Sequence, residues 1–204
     1  MEVIELGHID YDGSQLHHAF AYKNTGTQNA LGPTISYFVG KANVKEHLVD
    51  LEDSIANDFI SSKEMVHFII EIPNASIQET VLWQRLFMYQ ITSTLKEDLQ
   101  ELGDTSNIIY LDGDDIMIDN NDEADSQKLS VSIATLSLFS GLIHAGINVN
   151  VGNNCPVSAI GLNTLNIMPS LYSIPLDWGS TMADNFAEEY NNILNATYKV
   201  VGVN

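Results

Sequence analysis

Apolar residues along this chain recur at two periods, two and three-to-four, and the changes of period divide it into elements. The opening stretch EVIELGHIDYDG alternates weakly and ends in the turn signal Asp12-Gly13, so it predicts a strand and a loop. TISYFVGK (34–41) predicts the next strand. Val44, Leu48, Leu51, Ile55 and Phe59 are spaced by three and four, with Asn43 and Glu46 in capping-box relation, which predicts a short helix over 43–59. MVHFIIEI (65–72) is apolar and β-branched, as a buried strand is, and Pro73 ends it. Ser76 and Glu79 form a second capping box, after which Ile77, Val81, Met88, Ile91, Leu95, Leu99 and Leu102 trace one face of a helix of about seven turns. Gly103 is placed to close it. NIIYLDGDDIMI (107–118) predicts one strand, and the acidic run DNNDEADSQ (119–127) a turn.

Residues 127–152, QKLSVSIATLSLFSGLIHAGINVNVG, predict an antiparallel hairpin turning near Ser140 and Gly141. At period two, Leu129, Val131 and Ile133 face one way, and Lys128, Ser130, Ser132 and Ala134 the other. On the return strand Ile143, Ala145, Ile147 and Val149 oppose His144, Gly146, Asn148 and Asn150. One face is thus apolar and the other polar, either a pocket floor or a wet sheet surface. Residues 153–179 are loop-like, with a short strand or helix around AIGLNTLNI, and Thr181 and Asp184 start a helix whose Met182, Phe186, Tyr190, Ile193 and Tyr198 share a side. This order lacks strict β-α alternation. It predicts one α+β domain over 1–204, a mixed, largely antiparallel sheet backed by helices.

Composition narrows the function. A hydrophobic content of 45% supplies a core, and 8 Lys plus Arg against 27 Asp plus Glu give a net charge of −19. So few cations argue against nucleic acid and against anionic membranes. No stretch approaches the roughly 20 apolar residues of a membrane helix, and the amino terminus has no signal-peptide pattern. Cys155 is the single cysteine, so no disulfide framework forms within the chain, and a cytoplasmic protein is expected.

Lys128 is the foremost candidate: an ammonium on the polar face of the hairpin, either meeting an anionic ligand or reaching solvent from a strand end. Ser130, Ser132 and Asn148 would orient a ligand there, and His144 would act as acceptor or base. Asp12, Ser14 and Gln15 offer short polar groups on a glycine turn, or simply satisfy that turn. Arg85, the single arginine, would clamp a carboxylate or phosphate, or meet a protein carboxylate such as Glu71. His17 and His18 are adjacent and point apart on a strand, and 119–125 lacks the glycine and distant glutamate of an EF-hand, so no metal site is predicted. Nucleotide-binding glycine loops and serine-nucleophile elbows are absent, and no cofactor is identified.

The run TLKEDLQEL, DGDDIMI, QKLSVSIAT and HAGINVN resembles, over about residues 76–152, the catalytic core of biotin and lipoate protein ligases. That resemblance implies a biotin/lipoate-ligase-like fold, places Lys128 on the lysine that touches the acyl carboxylate and activated phosphate, and places Asp115 on the aspartate of an Asn-Asp pair. The arginine- and glycine-rich loop of those ligases has no counterpart here. YDGSQL, VDLED, HFIIE, QRLF, GDD and KLSVSIAT together resemble the uncharacterised domain-of-unknown-function family 366. Two functional readings follow. One is a protein binding a small carboxylate- or nucleotide-bearing ligand, with acyl or adenylyl transfer if it is an enzyme; the other is a catalytically inactive binding or assembly module of the same fold. A homodimer covering an exposed sheet edge is a further expectation.

Overall fold

The computed structural model describes residues 1–56, 58–120 and 126–203. In chain order its elements are β1 (Glu2–His8), α1 (Phe20–Thr25), β2 (Thr34–Val44), α2 (Leu51–Ala56), β3 (Ile60–Pro73), α3 (Ile77–Glu101), β4 (Asn107–Asp112), β5 (Asp115–Asn120), β6 (Gln127–Lys128), β7 (Ser130–Leu136), β8 (Ser140–Asn150), α4 (Ile167–Ser170) and α5 (Pro175–Thr197). The main sheet has the order β1-β2-β3-β8-β7, with β1 parallel to β2 and the other neighbours antiparallel. A second sheet, β4-β5-β6, stands beside it. The fold is therefore α+β with a mixed, largely antiparallel sheet, as the order of elements predicts.

Strand alternation assigns the two faces. Val66, Phe68 and Ile70 of β3 and Ile143, Ala145 and Ile147 of β8 point to α3 and α5, where Phe87, Ile91, Leu95, Trp178 and Phe186 complete the main core. The opposite face carries Phe38 and Ile69, covered by Tyr11 and Phe20. The long helix starts as its sequence predicts: Ser76 Oγ accepts from the Glu79 amide at 3.2 Å, and the Glu79 carboxylate accepts from the Ser76 amide at 2.7 Å. Gly103 follows its last turn at a φ of 70°. Prediction and structure agree there because every cue is local.

Elsewhere the structure corrects the expectation. The helix expected over 43–59 shrinks to α2, because the β2–β3 ladder runs out to Val44 paired with Ile60 and buries Val44. Ladder bonds and burial outweigh a short helix, whose Leu51 and Ile55 remain exposed. The single strand expected over 107–118 is a hairpin, β4 and β5. Asp112 pairs with Asp115, and Gly113 enters the two-residue loop at a φ of 67°, a backbone that glycine adopts without cost. The turn of the later hairpin lies at 137–139, just before Ser140 and Gly141. The final helix starts at Pro175 rather than Thr181, with the Ile174 amide donating to Asp177 at 3.3 Å, and Tyr198 lies exposed beyond its end. The 17–33 segment also contains α1 and a 3-10 turn that periodicity did not predict. Of the acidic run 119–127, residues 121–125 lie outside the described residues.

Candidate functional site

Lys128 marks the joint between the two sheets. Its strand β6 pairs with β5, so that Lys128 stands opposite Met117. The Lys128 amide donates to the Ser158 carbonyl at 2.9 Å, and its carbonyl accepts from the Ile160 amide at 3.1 Å. One residue later the chain changes sheets: Leu129 enters the main core and Ser130 pairs with Ile147 of β8. That change breaks the alternation and inverts the expected faces of β7. Ser130 and Ser132 sit opposite Ile147 and Ala145 on the helix side, whereas Val131 and Ile133 sit opposite Gly146 and His144.

Beside this joint, reaching both faces of the edge strand β7, is a cavity of about 310 Å³. Its walls include Lys128, Asp115, Asp114, Ser130, Ser132 and Asn148 at one end, with Tyr11, Met65, Val131, Ile133 and His144 along β3, β7 and β8. Val44, Leu48 and Phe59 close another side, together with Asp50 and Asp58. Lysine Nζ lies 2.7 Å from Asp115 Oδ2. Burial pushes the Asp115 carboxyl above its ordinary range; Lys128 pulls it down, and Asp114 and Asp112 push it up. Asp114 is held in place: Gln84 Nε2 donates to its carboxylate at 2.7 Å and Ser132 Oγ at 2.9 Å. Ser130 Oγ accepts from the Ile116 amide at 2.8 Å, and Asn148 Nδ2 donates to the Lys128 carbonyl at 3.4 Å.

Six of the candidates from sequence, Lys128, Asp115, Ser130, Ser132, His144 and Asn148, thus border one cavity. Four do not. The 12–15 turn satisfies itself: Asp12 accepts from the Ser14 amide at 2.9 Å and from its hydroxyl at 2.6 Å, and Gln15 accepts from the Asp12 amide at 3.0 Å. Arg85 projects from α3 to Asp114 at 3.5 Å, with its side chain 44% exposed, and meets that carboxylate rather than Glu71. Glu71 instead accepts from His18 Nδ1 and Ser140 Oγ, both at 2.6 Å, and from the Ala19 amide at 2.9 Å.

The sequence reading did not single out Tyr11, Met65, His67 or Asp114. His67 lies on β3 with Nδ1 3.1 Å from His144 Nε2, and Tyr11 stacks on His144 with centroids 3.8 Å apart. A histidine inside the apolar run MVHFIIEI was the available signal, because a buried imidazole demands a partner. Among the described residues no group of histidine, cysteine and carboxylate side chains is arranged to hold a metal ion. No helix there is long and apolar enough to cross a membrane.

Comparison with known proteins places the chain. The model of the family described as Domain of unknown function (DUF366) matches residues 1–201. The chain belongs to this family. An uncharacterised protein of Methanocaldococcus jannaschii is 30% identical over 166 residues, covering 78% of this chain and 67% of the relative. A protein of unknown function from Pyrococcus horikoshi superposes with a TM-score of 0.80 at 33% identity, over 100% of this chain and 99% of that one. Among more remote structures, the R40G mutant of biotin protein ligase from Aquifex aeolicus, in complex with biotin, gives a TM-score of 0.51 at 13% identity, over 94% of this chain and 70% of that one. This DUF366 chain accordingly has the biotin/lipoate-ligase-like fold that its motifs resemble, and at that identity the likeness carries the fold alone.

Proposed function

We propose that this DUF366 protein binds a small carboxylate- or nucleotide-bearing molecule in the cavity beside Lys128. The observation that carries the reading is Lys128 itself: a half-buried ammonium on a cavity wall, with its backbone fixed by the 158–160 segment and its partner Asp115 raised in pKa by burial. An incoming anion replaces Asp115 at the ammonium. The surroundings favour the carboxylate class, because Asp50, Asp58 and Asp114 border the cavity with Lys128 as its single lysine, and a polyphosphate would meet more repulsion than a single carboxylate. If the protein is an enzyme, acyl or adenylyl transfer is the reaction class, with Lys128 neutralising the ligand's charge and Ser130, Ser132 and Asn148 shaping its seat. The second reading, a binding or assembly module without catalysis, is supported by Arg85: the chain's single arginine is not among the cavity walls and is paired with Asp114 behind them, rather than offered to an activated phosphate.

The same proposal takes the chain as one cytoplasmic domain, with no nucleic-acid or membrane partner and a homodimer as its assembly. The net charge of −19 supports the exclusion of nucleic acid. A thermal-shift panel of ATP, biotin, lipoate, fatty acids and their adenylates, run on the wild type and on Lys128→Ala, tests the binding reading. Lys128→Ala is expected to weaken the stabilising ligand by about 1.5–3 kcal/mol, roughly ten- to a hundredfold or more, with the fold intact. Lys128→Arg restores little, since a planar fork does not occupy the place of an ammonium. Stabilisation by an adenylate supports transfer chemistry; silence across the panel removes the ligand-binding reading.

A further inference from the structure

The buried histidine pair fixes a second polar group of the cavity. His67 and His144 are 0% and 2% exposed, and His144 borders the cavity. Nε2 of His67 lies 3.3 Å from the Gly40 carbonyl oxygen, which only accepts, so His67 carries a proton on Nε2. Burial holds His67 neutral by lowering its pKa to about 3, and burial, with His67 beside it, lowers that of His144 well below the ordinary value. Neutral His67 offers a lone pair at Nδ1, so the 3.1 Å contact between the rings is a donation from His144 Nε2. Nδ1 of His144 is then a lone pair, since the ring's single proton sits on Nε2. The ring is also clamped. Tyr11 lies parallel to it within 8°, and Phe38 stacks on His67 at 5.1 Å.

We propose that His144 is the orienting acceptor of the cavity and takes a neutral N–H or O–H from the end of the ligand remote from its carboxylate. This deepens the binding reading above and rests on it. His144 stands opposite Ile133 in the β7–β8 register, five residues along from Lys128. At ~3.3 Å per strand residue that offset is roughly 16 Å along the strand, so a ligand that meets both groups has a long extended chain. Tyr11, Met65, Val131 and Ile133 surround the His144 end, so a charged donor would lose its water there without a counter-charge, whereas a hydroxyl or amide loses less and regains a hydrogen bond. A ligand with a purely apolar tail leaves the imidazole acceptor unpaired and is discriminated against.

The test is a calorimetric ladder of straight-chain monocarboxylates from butanoate to dodecanoate, each beside its terminal-hydroxyl and terminal-carboxamide counterpart. At the best length the donor-bearing probes are expected to bind roughly three- to tenfold more tightly than the alkyl parent. That advantage disappears in His144→Phe, which keeps the ring stack. Should His144→Phe fail to fold, long-range proton–nitrogen spectra of the wild-type protein give the same answer: Nδ1 of His144 resonates as unprotonated and moves on adding the hydroxyl probe but not the alkyl one. Equal affinity of donor and alkyl probes, both weakened by Lys128→Ala, overturns the role of His144 and leaves the carboxylate reading standing. A proton on Nδ1 also overturns it. Binding that ignores Lys128→Ala, or no binding along the whole ladder, overturns the carboxylate reading and this inference with it.

Discussion

Asp115→Asn tests the physics of the Lys128 pair directly. At 2.7 Å the two groups look like a stabilising ion pair, yet each side chain is 31% exposed. A pair with that much water around it contributes about 0–1 kcal/mol. Burial and the neighbouring Asp114 and Asp112 raise the Asp115 pKa against the opposing pull of Lys128, so the fold favours the neutral carboxyl. Removing the charge therefore costs little: at pH 7 the substitution is expected to change unfolding stability by less than about 1 kcal/mol, a melting shift of at most roughly 4 °C at this chain length. The pH dependence has a definite sign. A carboxyl with a raised folded pKa contributes stability in full below its unfolded value and loses it as pH rises through the folded value. The Asn variant should thus gain on the wild type as pH rises from about 4, the unfolded carboxyl's value, through the raised folded value. Urea unfolding followed by circular dichroism at stepped pH reads both effects. A loss of about 3 kcal/mol or more at pH 7, the size expected on breaking a well-buried pair, refutes the reasoning. So does a wild type that gains on the variant with rising pH.

Glu71→Gln keeps the side-chain volume but removes the charge that gathers His18, Ser140 and the Ala19 amide, so a loss of about 2–3 kcal/mol is expected in denaturant melts, with faster amide exchange at Ala19. A loss below about 0.5 kcal/mol would show that Glu71 does not hold this loop. Gly141→Ala drives a methyl into Thr80 Oγ1 where α3 crosses β8, and should cost about 1–3 kcal/mol by thermal unfolding. Thr80→Ala in the same chain should recover part of that loss, and no recovery would point to the backbone of β8 instead. Arg85→Ala, removing a 3.5 Å contact that is 44% exposed on the arginine side, should change stability by at most about 1 kcal/mol in the same melts, and a larger loss would show that the guanidinium holds the Asp114 turn.

Much of the scaffold is legible from residues a few positions apart. The Ser76–Glu79 capping box, the closing Gly103 and the period-two run of β8 each depend on neighbours in sequence, and each appears as read. The errors arise where a distant partner decides. Val44 joins a ladder with Ile60, and Lys128 leaves the main sheet to pair with β5, which shifts the alternation of β7 by one residue and moves Ser130 and Ser132 to the helix side. The cavity was legible in part for the same reason. Lys128, His144 and Asn148 fall in one hairpin predicted from sequence and could be grouped there, whereas His67 and Tyr11 reach them only through the registers of β2, β3 and β8. Asp12, Ser14 and Gln15 resemble a binding turn in sequence, and in the structure their polar groups bond one another.

The most direct measurement of the central claim is a backbone amide map of the isotopically labelled protein during titration with straight-chain carboxylates and with ATP. Binding at the cavity moves the amides of Lys128, Leu129, His144 and Asn148 together, saturates with one affinity, and is weakened at least roughly tenfold in Lys128→Ala. Amide movements confined to α5 or to the exposed 137–139 turn, or a map unchanged by Lys128→Ala, would contradict it.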